Sequence, residues 1–349
     1  MRFLRSITLA VTFILLLSAC TDNYERYSTI YAGRFDTNIT FIAYAQSQLT
    51  FSAASAAAYA IIELDSKLFD IYNDHEGINN LKTINDNAGI QPVAVDDVLL
   101  DLLEFAVEVY ELTDGVVNVA MGPVLKIWHE YREQNNGTLP SLDILRENAA
   151  LMNINDMAID RQNSTVFLTQ TGMSLDVGAI AKGFTARRAL EAAKAAGITS
   201  ALINMGGDVA AFGKPMDGRN RWAIGIQDPF LVEGQRFIMD TVYVNGMALA
   251  SSGNYERFFI VDGVNYSHII DPETLFPAMR FAQATVLYQD AALAEALSTA
   301  LFILPLSQGQ KLLEKVGAEG MWVTLDGTIE TTAGYDAISQ KQSGYSAFD

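Results

Sequence analysis

Cysteine is nearly absent from this 349-residue chain. The single one, Cys20, permits no intrachain disulfide and no Cys-based zinc site. Three histidines argue against a His-rich metal centre. Basic side chains are outnumbered, 23 to 41, and form no dense run, so the net charge of −18 argues against nucleic acid as a partner. After the N-terminus no apolar run is long enough to read as a membrane span. With 50% hydrophobic and 18% charged residues, the chain is neither disordered nor collagen-like. The length suits one large domain or two ordinary ones. Chemistry must then come from carboxylates, hydroxyls, backbone groups and one His or Lys.

Arg2 and Arg5 precede an apolar stretch, Ile7–Leu17, and then Leu17-Ser18-Ala19-Cys20. This is the layout of a secretory signal over 1–19, and the tetrapeptide is similar to a bacterial lipobox. The only cysteine stands where a lipobox needs it, so Cys20 is the expected lipidation site. Cleavage there leaves 41 acidic against 21 basic side chains, a charge of −20. The expected mature protein is lipid-anchored on the extracytoplasmic side of a membrane. The polar, tyrosine-rich residues of 20–33 read as a tether, and 34–349 as the folded domain.

Periodicity predicts helices over 52–71, 96–112, 180–196, 293–302 and 307–316, with a short one over 141–149. Short strands are expected over 38–43, 158–159, 166–168, 174–175, 201–204, 222–226, 241–244, 248–251, 257–261, 284–287 and 322–325. The stretch 75–89 is polar and reads as loop. Strands arrive in runs between widely spaced helices, which points to an α+β fold.

Four stretches carry candidate chemistry. In SLDVGAIAKGF (174–184), Asp176 precedes a Gly-Ala turn and a helix with Lys182 in its first turn. Amides at a helix start, with a lysine, suit an anion; an ordinary strand–turn–helix with a capping acid is equally consistent. In LINMGGD (202–208) a buried strand ends in a Gly-Gly turn, which also suits close packing. In SSGNYER (251–257) and YSHIIDP (266–272), His268 lies three residues before Asp271 in a Gly- and Pro-flanked segment able to present both. In DAALAEALSTA (290–300), Glu295 and Thr299 share a helix face. Their hard oxygens suit magnesium, although such a pair is also common on solvated faces.

In this order, ELDSKLFDIY (63–72), TDGVVNVAMGPVLKIW (113–128), LDVGAIAKGF, LINMGGDVAAFG, SSGNYERFF, YSHIIDPET and AEALSTALF resemble the ApbE family of flavin transferases, from about Phe35 to the C-terminus. The resemblance implies a single α+β, T-fold-related domain with mixed or antiparallel sheets and packed helices. It implies transfer of FMN from FAD to a Ser or Thr hydroxyl of an extracytoplasmic acceptor, often a subunit of a membrane redox system. Hydrolysis of FAD to FMN and AMP, or flavin binding without catalysis, are the alternatives. By resemblance, FAD contacts fall on Phe35, Tyr72, Asp114, Gly115, Val116, Asp176, Lys182, His268, Ile269 and Ile270. Magnesium falls on the Ala179 carbonyl, Glu295 and Thr299. His268 is the expected base, with Asp271 orienting or assisting it and Lys182 meeting phosphate charge. Tyr72 is expected to pack on the flavin ring. The chain departs from the family pattern at Glu295 and Asn118, usually Asp, at Leu275, usually Gly, and at Phe35-Asp36-Thr37, usually Met-Gly-Thr.

Overall fold

The computed structural model describes residues 24–134, 137–230, 234–235 and 237–343. The expected signal, cleavage site and Cys20 lie outside the described residues.

The first element corrects an expectation. Most of the described part of the supposed tether is a strand, β1 (Glu25–Arg34), paired antiparallel with β2 (Thr37–Ala45). The turn between them is Phe35-Asp36, with φ of 52° and 53°. Two left-handed residues give the hairpin turn whose twist matches its strands. α1 (Gln48–Leu68) starts behind Ser47, whose hydroxyl accepts from the Thr50 amide at 3.2 Å. The stretch expected to be loop contains α2 (Leu81–Asp86), started by a reciprocal cap between Asn80 and Thr83. β3 (Val93–Ala94), α3 (Asp97–Leu112), α4 (Gly122–Gln134) and α5 (Leu142–Ala149) follow, then β4 (Met157–Asp160) and β5 (Thr165–Leu168).

Ser174–Leu175, expected to be a strand, joins no ladder. Asn85 takes the place of a neighbouring strand. Its side chain accepts from the Leu175 amide at 2.7 Å and donates to the Leu175 carbonyl at 3.0 Å. α6 (Ala181–Ala195) then leads to β6 (Ala201–Met205), β7 (Asp208–Phe212), β8 (Trp222–Gln227), β9 (Ile238–Val244), β10 (Ala248–Gly253), β11 (Phe258–Val261), β12 (Val264–Ser267) and β13 (Phe281–Tyr288). α7 (Ala291–Ile303), α8 (Leu306–Val316), β14 (Glu319–Thr324), β15 (Ile329–Thr331), α9 (Ala333–Ile338) and α10 (Gln340–Ser343) complete the described chain.

Eight strands form one antiparallel sheet in the order β1-β2-β6-β7-β10-β13-β14-β15. Alternation along each strand sends neighbouring side chains to opposite faces. Phe41, Ile203, Ala210, Ala250 and Val286 enter a core with α1, α6 and α7. Tyr44, Leu202, Val209, Leu249 and Leu287 enter a second core with the β8–β9 hairpin and Tyr335. A third core joins α4, α5 and the β11–β12 hairpin through Trp128, Leu145, Phe259 and Leu275. The fold is α+β, as expected from the sequence.

Candidate active site

α6 and α7 approach closely because Gly183 has no side chain; a Cβ there would lie 2.2 Å from the Ala291 carbonyl oxygen. That approach lets the Gly183 amide donate to Glu295 Oε2 at 2.7 Å. The other oxygen of Glu295 accepts from the Lys182 ammonium, which also pairs with Asp208 Oδ2 at 3.2 Å. Glu295 is only 3% exposed, so it faces the interior rather than solvent. Two carboxylates hold Lys182 protonated, raising its pKa against the cost of burial. Burial pushes Glu295 upward, and Lys182 opposes that shift. A row of hydroxyls lies alongside. Ser252 Oγ is 2.9 Å from Ser298 Oγ and 3.4 Å from Thr299 Oγ1.

At the start of α6, two of the backbone amides already have partners within the chain. The Ala181 amide donates to Val177 O at 3.0 Å, and the Gly183 amide is spent on Glu295.

His268 follows directly after β12. Its backbone amide donates to the Arg257 carbonyl at 3.0 Å, and Nδ1 lies 3.1 Å from the same oxygen. A carbonyl only accepts, so Nδ1 carries the hydrogen and Nε2 of the neutral ring carries the lone pair. Burial pushes the His268 pKa down to about 4, and the nearby cations Arg257, Arg132 and Lys182 push the same way.

Asp176 is held by its own loop. Its amide donates to Val119 O at 2.8 Å, and its Oδ1 accepts from the Gly178 amide at 2.8 Å. Burial raises its pKa; the Gly178 amide, His129 and Arg257 work against that rise. Tyr72 is 62% exposed and faces the charges of Asp176, Arg132, Arg257 and Asp36. Its ring centroid is 5.8 Å from that of His129. An exposed ring beside these charged groups is available to a planar ligand.

Phe35 sits in the β1–β2 turn, half-buried, with its ring 6.5 Å from Phe69. Asp114 and Gly115 follow α3 with φ of 51° and 82°, and the Gly115 amide closes onto Tyr110 O at 2.8 Å. Asp114 is exposed, whereas Val116 is half-buried against the first core. Ala179 and Thr299 are both half-buried. Ile269 and Ile270 are buried, and the Ile269 carbonyl is taken by the Ala278 amide at 2.9 Å.

Asp271 does not take the role expected for it. Its Oδ1 accepts from the Glu273 and Thr274 amides, at 2.8 and 3.4 Å, so it builds a turn. The backbone of Arg257 orients the His268 ring instead. Leu275, inside that turn, has a φ of 64°, and its carbonyl accepts from Trp128 Nε1 at 2.8 Å. Asn118 caps the short 3-10 helix Val119–Met121 and donates to Met152 O at 2.9 Å. Its place is structural, which a neutral amide serves well. His75, in the stretch read as loop, pairs with Asp70 at 3.0 Å.

Two site residues lay inside quoted motifs without being assigned a role. Asp208 closes LINMGGD, and Arg257 closes SSGNYER. The signal was the charged residue at the end of each glycine turn.

The comparisons agree with this geometry. The model of the ApbE family matches residues 35–322. A Klebsiella pneumoniae protein called FAD:protein FMN transferase is 30% identical over 303 residues, covering 86% of this chain and 92% of the relative. A Treponema pallidum protein of the same name is 35% identical over 268 residues, covering 73% of each. The solved ApbE protein of Thermotoga maritima superposes with a TM-score of 0.80 at 28% identity, covering 90% of this chain and 99% of that one. A Vibrio cholerae flavin transferase structure, at 23% identity and a TM-score of 0.77, shares the fold over 90% of this chain and all of its own. With the family model matched over residues 35–322 and relatives at 30% and 35% identity, the chain belongs to the ApbE family.

Proposed function

We infer that the chain is an FAD:protein FMN transferase. The observation that carries this reading is the His268 ring, whose Nδ1 is fixed on the Arg257 carbonyl so that Nε2 holds the lone pair. Such a base, with Lys182 as a phosphate-neutralising cation, suits phosphoryl transfer to a hydroxyl. The names borne by the relatives supply the substrate and the acceptor class.

His268 Nε2 takes the proton of a Ser or Thr hydroxyl on the acceptor protein. The hydroxyl oxygen bonds to the phosphorus of the FMN half. The anhydride P–O bond breaks with its electron pair going to AMP. Lys182 meets charge on the phosphates, and Tyr72 offers a ring face to the flavin. Mg2+, when bound, would neutralise pyrophosphate charge as the anhydride opens. Glu295, Thr299 and the Ala179 carbonyl would hold it. Their donors are hard oxygens, and the Glu295 carboxylate already faces one cation, so this donor set suits the ion.

Incubation with FAD, Mg2+ and an extracytoplasmic acceptor tests this. Acceptor labelled with FMN supports transfer. Free FMN plus AMP would make the chain a pyrophosphatase, and unchanged FAD would make it a binding protein. We propose in addition that Cys20 is acylated after cleavage behind Ala19, anchoring the enzyme outside the cytoplasm near a membrane redox acceptor. Cys20→Ser should then release the protein from the membrane fraction; unchanged fractionation would remove the anchor.

A further inference from the structure

We propose that Lys182 is the resident cation of the Glu295–Asp208 pocket, and that a divalent metal enters this pocket only when a nucleotide pyrophosphate draws the ammonium out. The inference rests on the functional reading above in taking Glu295 as a metal ligand.

The scaffold of the pocket cannot adjust. Gly183 is pinned between α6 and α7, where even a Cβ would strike the Ala291 carbonyl, so its amide stays on Glu295 Oε2. Asp208 Oδ1 is tied to the Ser251 amide at 3.3 Å. The two remaining carboxylate oxygens, Glu295 Oε1 and Asp208 Oδ2, are both on the Lys182 ammonium. The movable part is therefore the lysine. Its four-carbon stem is flexible, its head is a compact charge, and its side chain is 27% exposed where those of Asp208 and Glu295 are 12% and 4%.

A metal on Glu295 Oε1 would share that oxygen with an ammonium in contact, and two like charges in a poorly solvated pocket repel strongly. Displacement of the ammonium resolves the conflict. A pyrophosphate offers Lys182 a new anionic partner and leaves Glu295 Oε1 free for the metal. The two cations then sit on opposite sides of the ligand instead of competing for one carboxylate. The order of binding follows: nucleotide before metal, or the two together.

The experiment uses Mn2+ as a paramagnetic probe in place of Mg2+, with free ion counted by electron paramagnetic resonance. Without nucleotide, the parent should bind Mn2+ weakly. Lys182→Met should bind it at least about tenfold more tightly, because removing one partner leaves a buried acid uncompensated. Lys182→Met/Glu295→Gln should lose that gain. A Lys182→Met affinity equal to the parent's would overturn the proposal while leaving FMN transfer untouched as a reading. A gain that survives Glu295→Gln would overturn both the proposal and Glu295 as metal ligand. A second measurement needs no variant and decides the matter if Lys182→Met does not fold. Water-proton relaxation of the parent with Mn2+ should rise on adding ADP beyond the Mn2+–ADP value in free solution, and should be weak without ADP. Equal enhancement with and without ADP would sink the ordered scheme.

Discussion

Asp240 and Glu295 are both acids buried to within a few per cent of full enclosure, yet their carboxylates are satisfied in opposite ways. Asp240 accepts from the Thr241 amide at 2.7 Å, the Lys341 amide at 3.1 Å, the Tyr335 hydroxyl at 2.8 Å and the Ser339 hydroxyl at 2.6 Å. All four donors are neutral, and two belong to the backbone. They clamp α9 and α10 onto β9. Glu295 has one amide and one ammonium on a flexible stem. A carboxylate closed by neutral donors from fixed elements is a fastening. One closed by a movable cation can exchange that cation for a ligand. Both acids are buried, so burial alone does not separate structural acids from working ones.

Breaking both acids gives the sharpest contrast. Glu295→Ala should remove FAD cleavage and transfer, a loss on the order of a thousandfold or more if the metal supplies several kcal/mol. Its melting temperature should fall less than that of Asp240→Ala, since Lys182 keeps Asp208 and only the Gly183 amide is left without its acceptor. Asp240→Ala should do the reverse. It leaves the buried Tyr335 and Ser339 hydroxyls without their acceptor, at a cost of about 2–4 kcal/mol in urea unfolding. FMN transfer per folded molecule should be unchanged. If Asp240→Ala lost activity and kept stability, the distinction between fastening and exchangeable site would fail.

The proposed function places His268 with Glu295 in that contrast. His268→Ala should slow transfer by roughly two to four powers of ten. FAD affinity should hold, since phosphate charge is met elsewhere. Lys182→Ala should weaken both. Transfer at the parental rate in His268→Ala would assign the base to another group.

Acid pH separates two further residues by sign. The His268 pKa is depressed to about 4 from an ordinary 6.5, so the folded protein binds this proton less readily than the unfolded chain. Stability from this group is lost as pH falls from about 6.5 through about 4. Asp65, fully buried against Arg188, has its pKa pushed up to about 6 by burial, with Arg188 opposing. Its contribution is present at low pH and lost as pH rises from about 4 through about 6. Between those limits His268→Ala and Asp65→Asn should change the slope of melting temperature against pH in opposite directions. In kcat/KM for the parent, the acid limb should lie near pH 4. A limb near 6.5 would mean that His268 is not held as the geometry indicates.

The comparison also shows which parts of the molecule the sequence made legible. α3 could be read from Val98, Leu102, Phe105 and Val109 because a helix carries its burial pattern locally. β1 could not. It turns Tyr27, Thr29 and Tyr31 inward and leaves Ile30 65% exposed, so its alternation runs against hydrophobicity. Lys182 and Glu295 were legible as family positions, but their pairing was not. They are 113 residues apart, and the contact arises where Gly183 lets α6 meet α7. Asp208 joins them through the position of β7 in the sheet, which no local pattern encodes. The motif around Asp271 suggested a partner for His268, but a carboxylate two residues before an amide has its own turn to serve.

Leu275 allows the smallest and most delicate test, in the turn that follows His268. A φ of 64° costs a leucine about 1–2 kcal/mol relative to an ordinary backbone, and a glycine there is unstrained. The leucine side chain is only 6% exposed, packed in the third core, and its burial is worth about 1.5–3 kcal/mol. Glycine also loses about 0.5–1 kcal/mol through its freedom in the unfolded chain. The terms nearly cancel, with packing ahead, so Leu275→Gly should destabilise by about 1 kcal/mol in urea unfolding. The Trp128 bond is to the Leu275 carbonyl, which glycine keeps, and the Asp271 turn is made by backbone amides. His268 should therefore stay in place, and transfer should fall by no more than about twofold. A more stable Leu275→Gly would show that strain outweighs packing there. A large loss of transfer with unchanged stability would show that the leucine side chain itself holds the His268 segment against Trp128.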